Sequence, residues 1–368
     1  MKNSRLLSLD TLRGFDMLFI MGFAPFIVSL NNLFPSDLGD AIAGHMRHVT
    51  WDGFSQHDMI FPLFLFVAGI SFPFSLDKQR DNGASSRKIG MKIIRRGMTL
   101  VLLGILYNGF FQYGFTGTRY ASVLGRIGTA WMLGAFIYMY TTTAVRYGIM
   151  GIILIGYWLS IWLIPAPDVM NAAPFSIEGN LVGYVDRLLL PGKLLCSGRF
   201  DPEGLLSTLP AIVTALLGMT TGEWVRIPEQ RISGNRKALF LVFAGVVLCL
   251  VGLAWDKVFP INKSLWSSSF VCFSGGLSFL LFSLFYWVID VKKMRSWTLF
   301  FRVIGLNSIT IYMAQRIIGF NQMNHFFFGG LAGLGNETIG TAILRLGYIA
   351  CCWFFLYFLY RKNIFLKV

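Results

Sequence analysis

The side chains best suited to chemistry lie within residues 48–66, in the run HVTWDGFSQHDMIFPLFLF. His48 carries an imidazole, which titrates near neutral pH and can accept and return a proton. Asp58 is a carboxylate at the start of a long apolar segment, where it can orient His48 or hold a substrate cation; the structural alternative is that the helix dipole favours a carboxylate at this end. Ionisable groups at the mouth of such a segment are costly and usually serve catalysis or proton transfer. We therefore predict that His48 and Asp58 form the reaction centre; the structural alternative for His48 is a hydrogen bond to a loop carbonyl.

Other polar side chains fall inside or beside apolar runs and are candidates for binding a substrate or stabilising an oxyanion. They are Arg126, Asn262, Lys263 and Asn307. Each has a structural alternative, because polar groups in membrane helices also hydrogen-bond between helices. The remaining histidines, His45, His57 and His325, have the pattern of interfacial or solvent-facing residues. We find no metal-ligand pattern, phosphate-binding glycine loop or nucleophile elbow, and we predict no metal cofactor.

Cations at the inner ends of two apolar runs form a second candidate site. Asp10 and Arg13 open the first run, and Arg95 and Arg96 lie at the start of the third. Singly, such residues cap a helix or extend to lipid headgroups. Together, the cations can bind a phosphorylated ligand at the inner face.

The composition predicts a helical membrane protein that positions these groups. Hydrophobic residues make up 55% of the 368 residues and charged residues only 14%, whereas soluble domains average about 25% charged. The apolar runs are about 20 residues long, which is the length of a membrane-spanning helix. The net charge of +14 does not indicate a nucleic-acid partner, because the cations cluster between the apolar runs, where lipid headgroups lie.

We predict an all-α polytopic membrane protein in which residues 1–368 form a single bundle of about ten helices. The predicted spans are 12–33, 56–76, 92–112, 122–144, 147–164, 205–224, 237–255, 265–289, 299–319 and 342–360. Of the 32 Lys and Arg residues, 22 fall on the side of the termini, so the positive-inside rule places both termini in the cytoplasm. The loop 34–55, which contains His48, then faces outward. The proline-rich connection 165–204 also faces outward and is predicted to form a lid.

The motifs along the chain resemble those of the heparan-α-glucosaminide N-acetyltransferase family, within the transmembrane acyltransferases. The matching blocks occur in order along the chain: SLDTLRGF at 8–15, HVTWDG at 48–53, DMIFPLFLFVAG at 58–69, VLGRIGTAWML at 123–133, FDPEGLLSTLPAIVTALLG at 200–218, FPINKSLWSSSFV at 259–271, GLNSITIYM at 305–313 and YRKNIFLKV at 360–368. Collectively the blocks are specific, although no single block is.

The resemblance implies an acetyltransferase that moves an acetyl group from cytosolic acetyl-CoA to a sugar amine across the membrane. It assigns the active histidine to His48, which precedes the W-x-G of Trp51 to Gly53. We expect acetyl-CoA to bind through Asp10, Arg13, Arg95 and Arg96 and to reach His48 with its thioester. The expected location is the bacterial inner membrane, and the expected partners are the lipid bilayer and an amino-sugar or glycan acceptor.

Two other functions fit the same residues. An O-acyltransferase acting on a surface glycan would use His48 in nearly the same way. A proton-coupled secondary transporter would use His48 and Asp58 as a proton relay. The outer lid is also compatible with a homodimer.

Overall fold

The computed structural model describes residues 6–196 and 198–366. Within these ranges the chain is helical and has no β-strand, only two isolated antiparallel bridges. The predicted all-α class is therefore confirmed.

The α-helices of the described residues are α1 Leu7–Leu18, α2 Ala24–Leu33, α3 Asp37–Gly44, α4 Ile60–Asp81, α5 Ser86–Tyr107, α6 Phe110–Gly117, α7 Val123–Tyr140, α8 Thr143–Leu163, α9 Leu181–Leu189, α10 Thr208–Arg226, α11 Gly234–Trp255, α12 Ser268–Phe285, α13 Thr298–Leu306, α14 Ser308–Ile317, α15 Phe320–Ala332 and α16 Glu337–Arg361. A π-helical segment, Phe19–Phe23, joins α1 to α2, and a second, Tyr286–Val291, extends α12. A single 3₁₀ turn, Gln56–Met59, leads into α4.

Six helical segments of the described chain are long and apolar enough to cross a membrane. They are Leu7–Leu33, Gln56–Asp81, Thr143–Leu163, Gly234–Trp255, Ser268–Val291 and Glu337–Arg361. The other four predicted spans fall on α5, α7, α10 and the pair α13 and α14, which do not meet the same criterion. The molecule is thus a helical multi-pass membrane protein, and the count of ten spans stays a prediction.

Two helices that pack through glycines lie at the centre of the bundle. The apolar window of α4 is 78% buried, whereas that of α11 is 22% buried, so α4 is central and α11 is peripheral. A methyl group at Gly218 of α10 would lie 2.0 Å from the Phe66 carbonyl oxygen of α4. The GxxxG of Gly218 and Gly222 therefore brings the two backbones into contact, as small residues do between membrane helices.

The loop 34–55 and the connection 165–204, both predicted to face outward, meet two further connections at one end of the bundle. The Gly53 backbone N–H donates to the Ile261 carbonyl at 2.8 Å, which joins the His48 loop to the segment before α12. The Trp51 indole N–H donates to the Phe175 carbonyl at 2.9 Å, which joins the same loop to the connection 165–204. Arg119, between α6 and α7, donates to both carboxylate oxygens of Asp201. These contacts assemble one polar end around His48.

Candidate active site

His48 and Asp58 form a direct pair. The distance from His48 Nδ1 to Asp58 Oδ1 is 2.6 Å. The Asp58 side chain is 1% exposed, whereas the His48 side chain is 53% exposed. A buried carboxylate on one ring nitrogen favours the tautomer that carries its proton on Nδ1, which leaves a lone pair on Nε2. The pair can thus hold an accessible imidazole ready to accept a proton.

A local capping motif holds Asp58 in place. The Asp58 carboxylate accepts hydrogen bonds from the Ser55 backbone N–H at 3.1 Å and from the Ser55 hydroxyl at 2.8 Å. Together with the Ser55 side chain, these bonds form a capping box at the start of the 3₁₀ turn Gln56–Met59. The spacing of Ser55 and Asp58 in the sequence could have revealed this role, which the sequence reasoning missed.

Lys263 completes the centre from a distant part of the chain. Its Nζ lies 3.0 Å from His48 Nδ1, 3.4 Å from His48 Nε2 and 3.4 Å from Asp58 Oδ1. Burial lowers the pKa of Lys263 below that of an ordinary lysine, although the charges of Asp58 and Glu203 favour its protonated form. The predicted substrate residue Lys263 is thus part of the His48 centre.

The Asn262 side chain supports this centre by joining two loops. Its side-chain amide donates to Asp52 Oδ1 at 3.1 Å and accepts from the Leu265 backbone N–H at 2.8 Å. The Asn262 side chain is fully buried. These contacts hold the loop that carries Lys263 against the loop that carries His48. Asn262 therefore has the contacts of a residue that positions the centre.

His57 lies against the reaction centre rather than apart from it. Its ring centroid is 4.5 Å from that of His48, with the two planes tilted by 59°. Its Nδ1 is buried and has no hydrogen-bond partner in the described part of the chain. The sequence predicts an interfacial residue at His57, because no local pattern indicates that the turn folds its ring onto His48.

Arg126 of α7 is buried between α7 and the residues that precede α10. It donates to the Gly204 carbonyl and to the Ser207 hydroxyl, and its guanidinium stands 5.1 Å from the Trp266 ring centroid. Its Nε and Nη1 are buried without a hydrogen-bond partner among the residues described. Two N–H groups of this cation are therefore available to an anionic atom.

Asn307 interrupts the predicted ninth span between α13 and α14. Its amide donates to the Ile364 carbonyl at 2.9 Å, and its oxygen accepts from the Leu366 backbone N–H at 3.2 Å. Thr310 also donates to that oxygen. Asn307 therefore holds the segment after α16, and its observed partners are not those of the His48 centre.

The cations predicted to lie at the inner face gather around a pocket of about 590 Å³ between α4, α5 and α7. The side chains that line it are mostly polar or cationic: Ser75, Gln79, Lys92, Arg95, Arg96 and Thr99, with Phe72, Ile93 and Trp131. The Arg96 guanidinium stacks 4.2 Å from the Trp131 centroid, and its Nε is buried without a hydrogen-bond partner within the described residues. We call this space the cation pocket; its charge and size suit a phosphorylated ligand.

Arg13 and Asp10 lie beside the cation pocket. Arg13 Nη2 donates to the Ser71 hydroxyl at 3.3 Å, and Ser71 directly precedes Phe72 of the pocket wall. Arg13 Nη1 is 3.8 Å from Asp10 Oδ1. The structure thus brings together the four residues predicted to bind the cofactor, with Asp10 as an ion-pair partner of Arg13.

A small apolar cavity separates the two polar sites. It has a volume of about 40 Å³ and is lined by Met17, Ile20, Ile60, Phe61, Phe64, Val123, Leu124, Ile127, Ser308, Ile309 and Tyr312. Ile60 follows Asp58 by two residues, so the cavity lies next to the reaction centre. It shares no lining residue with the cation pocket, but Ile127 and Trp131 are one turn apart on α7, about 6 Å.

Comparison with known proteins extends the motif resemblance to the whole chain. The chain is 27% identical to the human heparan-α-glucosaminide N-acetyltransferase over 420 aligned positions, which cover 99% of the chain and 60% of that enzyme. The mouse enzyme of the same name is 26% identical over 99% of the chain and 61% of its own length. This similarity confirms the predicted resemblance.

The match covers only part of the two acetyltransferases. The chain spans about three fifths of the length of these relatives, at 60% and 61%. No family model matches the chain. The similarity extends through both the His48 centre and the cation pocket, because nearly the whole chain is aligned.

Proposed function

We propose that this chain is a membrane acetyltransferase that transfers an acetyl group from cytosolic acetyl-CoA to the amine of an amino sugar at the outer face. The observation that carries the proposal is the 2.6 Å contact between His48 Nδ1 and the buried Asp58, on a half-exposed ring. Similarity to two enzymes named N-acetyltransferases supports the transferred group and the class of acceptor.

The proposed chemistry assigns a role to each member of the centre. The acceptor amine attacks the thioester carbonyl, and His48 Nε2 takes the amine proton as the new N–C bond forms. The tetrahedral intermediate then collapses, the C–S bond breaks, and the CoA thiolate leaves and takes the proton held by His48 Nε2, which restores the neutral imidazole. Asp58 stabilises the imidazolium, and Lys263 or Arg126 stabilises the oxyanion. In a two-step variant, His48 itself accepts the acetyl group before the amine does.

The proposed donor route uses the interior of the bundle. The nucleotide phosphates bind in the cation pocket, and the pantetheine arm passes between α1, α4 and α7 toward His48. From Phe72 in the pocket wall to Asp58 is 14 residues, or about 21 Å if all were helical. Because the two cavities are separate, the arm must displace side chains over about one helical turn.

The proposed topology has ten spans with both termini in the cytoplasm. The cation bias of 22 among 32 residues supports this orientation. It places the cation pocket toward the cytosol, where acetyl-CoA is made, and His48 toward the exterior. A thioester supplied from one side is then used on the other.

A transfer assay with the purified full chain tests the proposal. Isotope-labelled acetyl-CoA is mixed with a panel of amino sugars, and labelled products are measured by mass spectrometry. We expect an N-acetylated product from the unchanged chain and from His45→Ala, which changes an exposed histidine, and none from His48→Ala, which should still bind acetyl-CoA. Unchanged turnover in His48→Ala would remove the proposed role of the imidazole.

The same assay distinguishes the alternative functions. An O-acetylated product is released by mild base, whereas an amide is not, so base treatment separates the two acyltransferases. Uptake of a sugar by proteoliposomes without acetyl-CoA, together with no transfer in detergent, would favour the transporter instead.

A further inference from the structure

A second polar pocket, of about 490 Å³, lies where α15, α16 and the π-helical segment Phe19–Phe23 meet. Six polar side chains line it, together with Gly22, Pro25 and Leu344. The six are Asn321, Asn324, His325, Thr341, Arg345 and Tyr348. The pocket shares no lining residue with the cation pocket or with the apolar cavity. It is therefore a separate site, and we call it the α16 pocket.

Close helix packing fixes one wall of the α16 pocket. A methyl group at Gly340 would lie 2.6 Å from the Ala332 carbonyl oxygen, and one at Gly347 would lie 2.3 Å from Asn324 Oδ1. The Asn324 amide donates to the Leu344 carbonyl at 2.9 Å. These contacts hold α15 against α16, so the pocket is preformed on this side.

The other wall depends on the bend in the first span. Gly22 has a φ of +114°, a conformation that favours glycine, and the Tyr348 ring packs against it. Gln315 donates to the Ile20 carbonyl and to the Tyr348 hydroxyl, both at 3.3 Å. Tyr348 is thereby positioned at the edge of the pocket.

The lining of the α16 pocket favours an anion. It includes a guanidinium, an imidazole, two amides and two hydroxyls, and no carboxylate lines it. Neither Arg345 nor His325 makes an ion pair or a hydrogen bond with any residue that the structure describes. The planar guanidinium of Arg345 is therefore available for two parallel bonds to phosphate oxygens.

The position of the α16 pocket indicates where such an anion would come from. Arg345 lies eight residues into the candidate span Glu337–Arg361, about 12 Å along the helix. An exposed apolar side chain directly follows each of Arg345 and His325 along the chain: Leu346 is 54% exposed and Phe326 is 82% exposed. An unpaired arginine among such side chains is costly in a membrane unless an anionic group meets it.

We propose that the α16 pocket binds the phosphate-bearing headgroup of an anionic membrane lipid. Arg345 contacts the phosphate, and His325, Asn321 and Thr341 donate to the rest of the headgroup. The acyl chains lie along the exposed apolar side chains Phe326 and Leu346. The proposal does not depend on the acetyltransferase activity.

Binding to the delipidated full chain in detergent tests the proposal. The probes are dioleoylphosphatidylglycerol, dioleoylphosphatidylcholine, glycerol 3-phosphate and inorganic phosphate, followed by native mass spectrometry and thermal unfolding. We expect retention of phosphatidylglycerol over phosphatidylcholine, and an about ten- to hundredfold loss of that affinity in Arg345→Gln. Arg316→Gln, which removes an exposed arginine of α14 outside the pocket, should bind like the unchanged chain.

Each remaining result has a defined meaning. Equal retention of the two lipids, or equal binding by Arg345→Gln and Arg316→Gln, overturns the proposal. Binding of glycerol 3-phosphate or inorganic phosphate as tightly as the lipid overturns the lipid source. If Arg345→Gln does not fold, Asn321→Ala replaces it, and a loss of severalfold or more in phosphatidylglycerol binding is then required.

Discussion

At the scale of single residues, the proposed chemistry depends on a carboxylate that is almost completely buried. Asp58 is 1% exposed and is held by three contacts, two from Ser55 and one from His48. A carboxylate bound in this way fixes the orientation and the tautomer of the imidazole. The exposed ring can then exchange protons with a substrate without losing its orientation.

Replacing the carboxylate tests this orientation. Asp58→Asn should lower kcat by about 10²–10⁴-fold, because the amide no longer stabilises an imidazolium. Steady-state kinetics with labelled acetyl-CoA measure the change. Asp37→Asn, an exposed carboxylate at the start of α3, is the matched control and should leave kcat unchanged. A small effect of Asp58→Asn would mean that His48 does not work through this pair.

Lys263 gives the reaction a predicted pH dependence. Burial lowers its pKa, so it loses its proton at a lower pH than an ordinary lysine, whose pKa is about 10.4. If the ammonium stabilises the oxyanion, the rate falls as the pH rises through this lowered pKa. In Lys263→Met the alkaline fall should disappear, and the rate at neutral pH should drop by about 10²–10³-fold.

The pH–rate profile of kcat measures this effect. Lys263→Arg, which stays charged throughout, should shift the alkaline fall upward. Lys193→Met removes a cation from the same end of the bundle and should keep the original profile. An alkaline fall that persists in Lys263→Met would assign it to another group.

At the scale of helices, the close approach of the α1 and α13 backbones positions Arg13. A methyl group at Gly305 of α13 would lie 1.9 Å from the Asp10 carbonyl oxygen, and one at Gly14 of α1 would lie 1.8 Å from the Phe301 carbonyl oxygen. Backbone atoms cannot move aside as a flexible side chain can. The two glycines therefore set the distance between α1 and α13, and with it the position of Arg13.

Two glycine-to-alanine substitutions distinguish the effect of helix–helix packing on stability from the effect of intrinsic helix propensity. Gly305→Ala should destabilise the protein by about 1–3 kcal/mol, because it forces α1 and α13 apart. Gly330→Ala in α15 meets nothing within 4 Å, so alanine should be neutral or slightly stabilising there. Thermal or denaturant unfolding in detergent measures both variants. Equal stabilities would contradict the close contact of α1 with α13.

At the scale of the whole molecule, the chain keeps two polar sites apart. The cation pocket and the His48 centre lie at different levels of the bundle, and a cavity of about 40 Å³ with mostly apolar walls adjoins the centre. A transferase with this arrangement would bind its donor at one end of the bundle and use it at the other without forming a continuous channel across the membrane.

Charge removal in the cation pocket tests this division. Arg96→Gln should raise the KM for acetyl-CoA by about tenfold or more, because a charge-assisted contact to phosphate is lost. The KM for the amino sugar should not change, since that substrate reaches the opposite end. Arg87→Gln, at an exposed position of the same helix, is the control. Equal changes in both KM values would show that Arg96 supports the fold rather than the donor.

Much of the architecture was predictable because hydropathy is a local property. The apolar runs predicted helical spans, and most of each predicted span falls on helical residues, although residues 108–109, 205–207 and 265–267 lie outside the helices. The interruptions were not predicted: the bend at Gly22 and the break at Asn307 depend on Tyr348 and on the Ile364 carbonyl, which are remote in sequence. Local patterns carry no information about such partners.

The sequence by itself determined the membrane class, the resemblance to the acetyltransferases, and the candidacy of His48 and Asp58, which are only ten residues apart. Only the tertiary structure decided that Lys263, 215 residues beyond His48, lies 3.0 Å from its ring, and that Asn307 contacts the backbone of Ile364 and Leu366. The reason is physical: composition and short spacings fix what each helix contains, whereas glycine-mediated packing and loop contacts fix which helices meet.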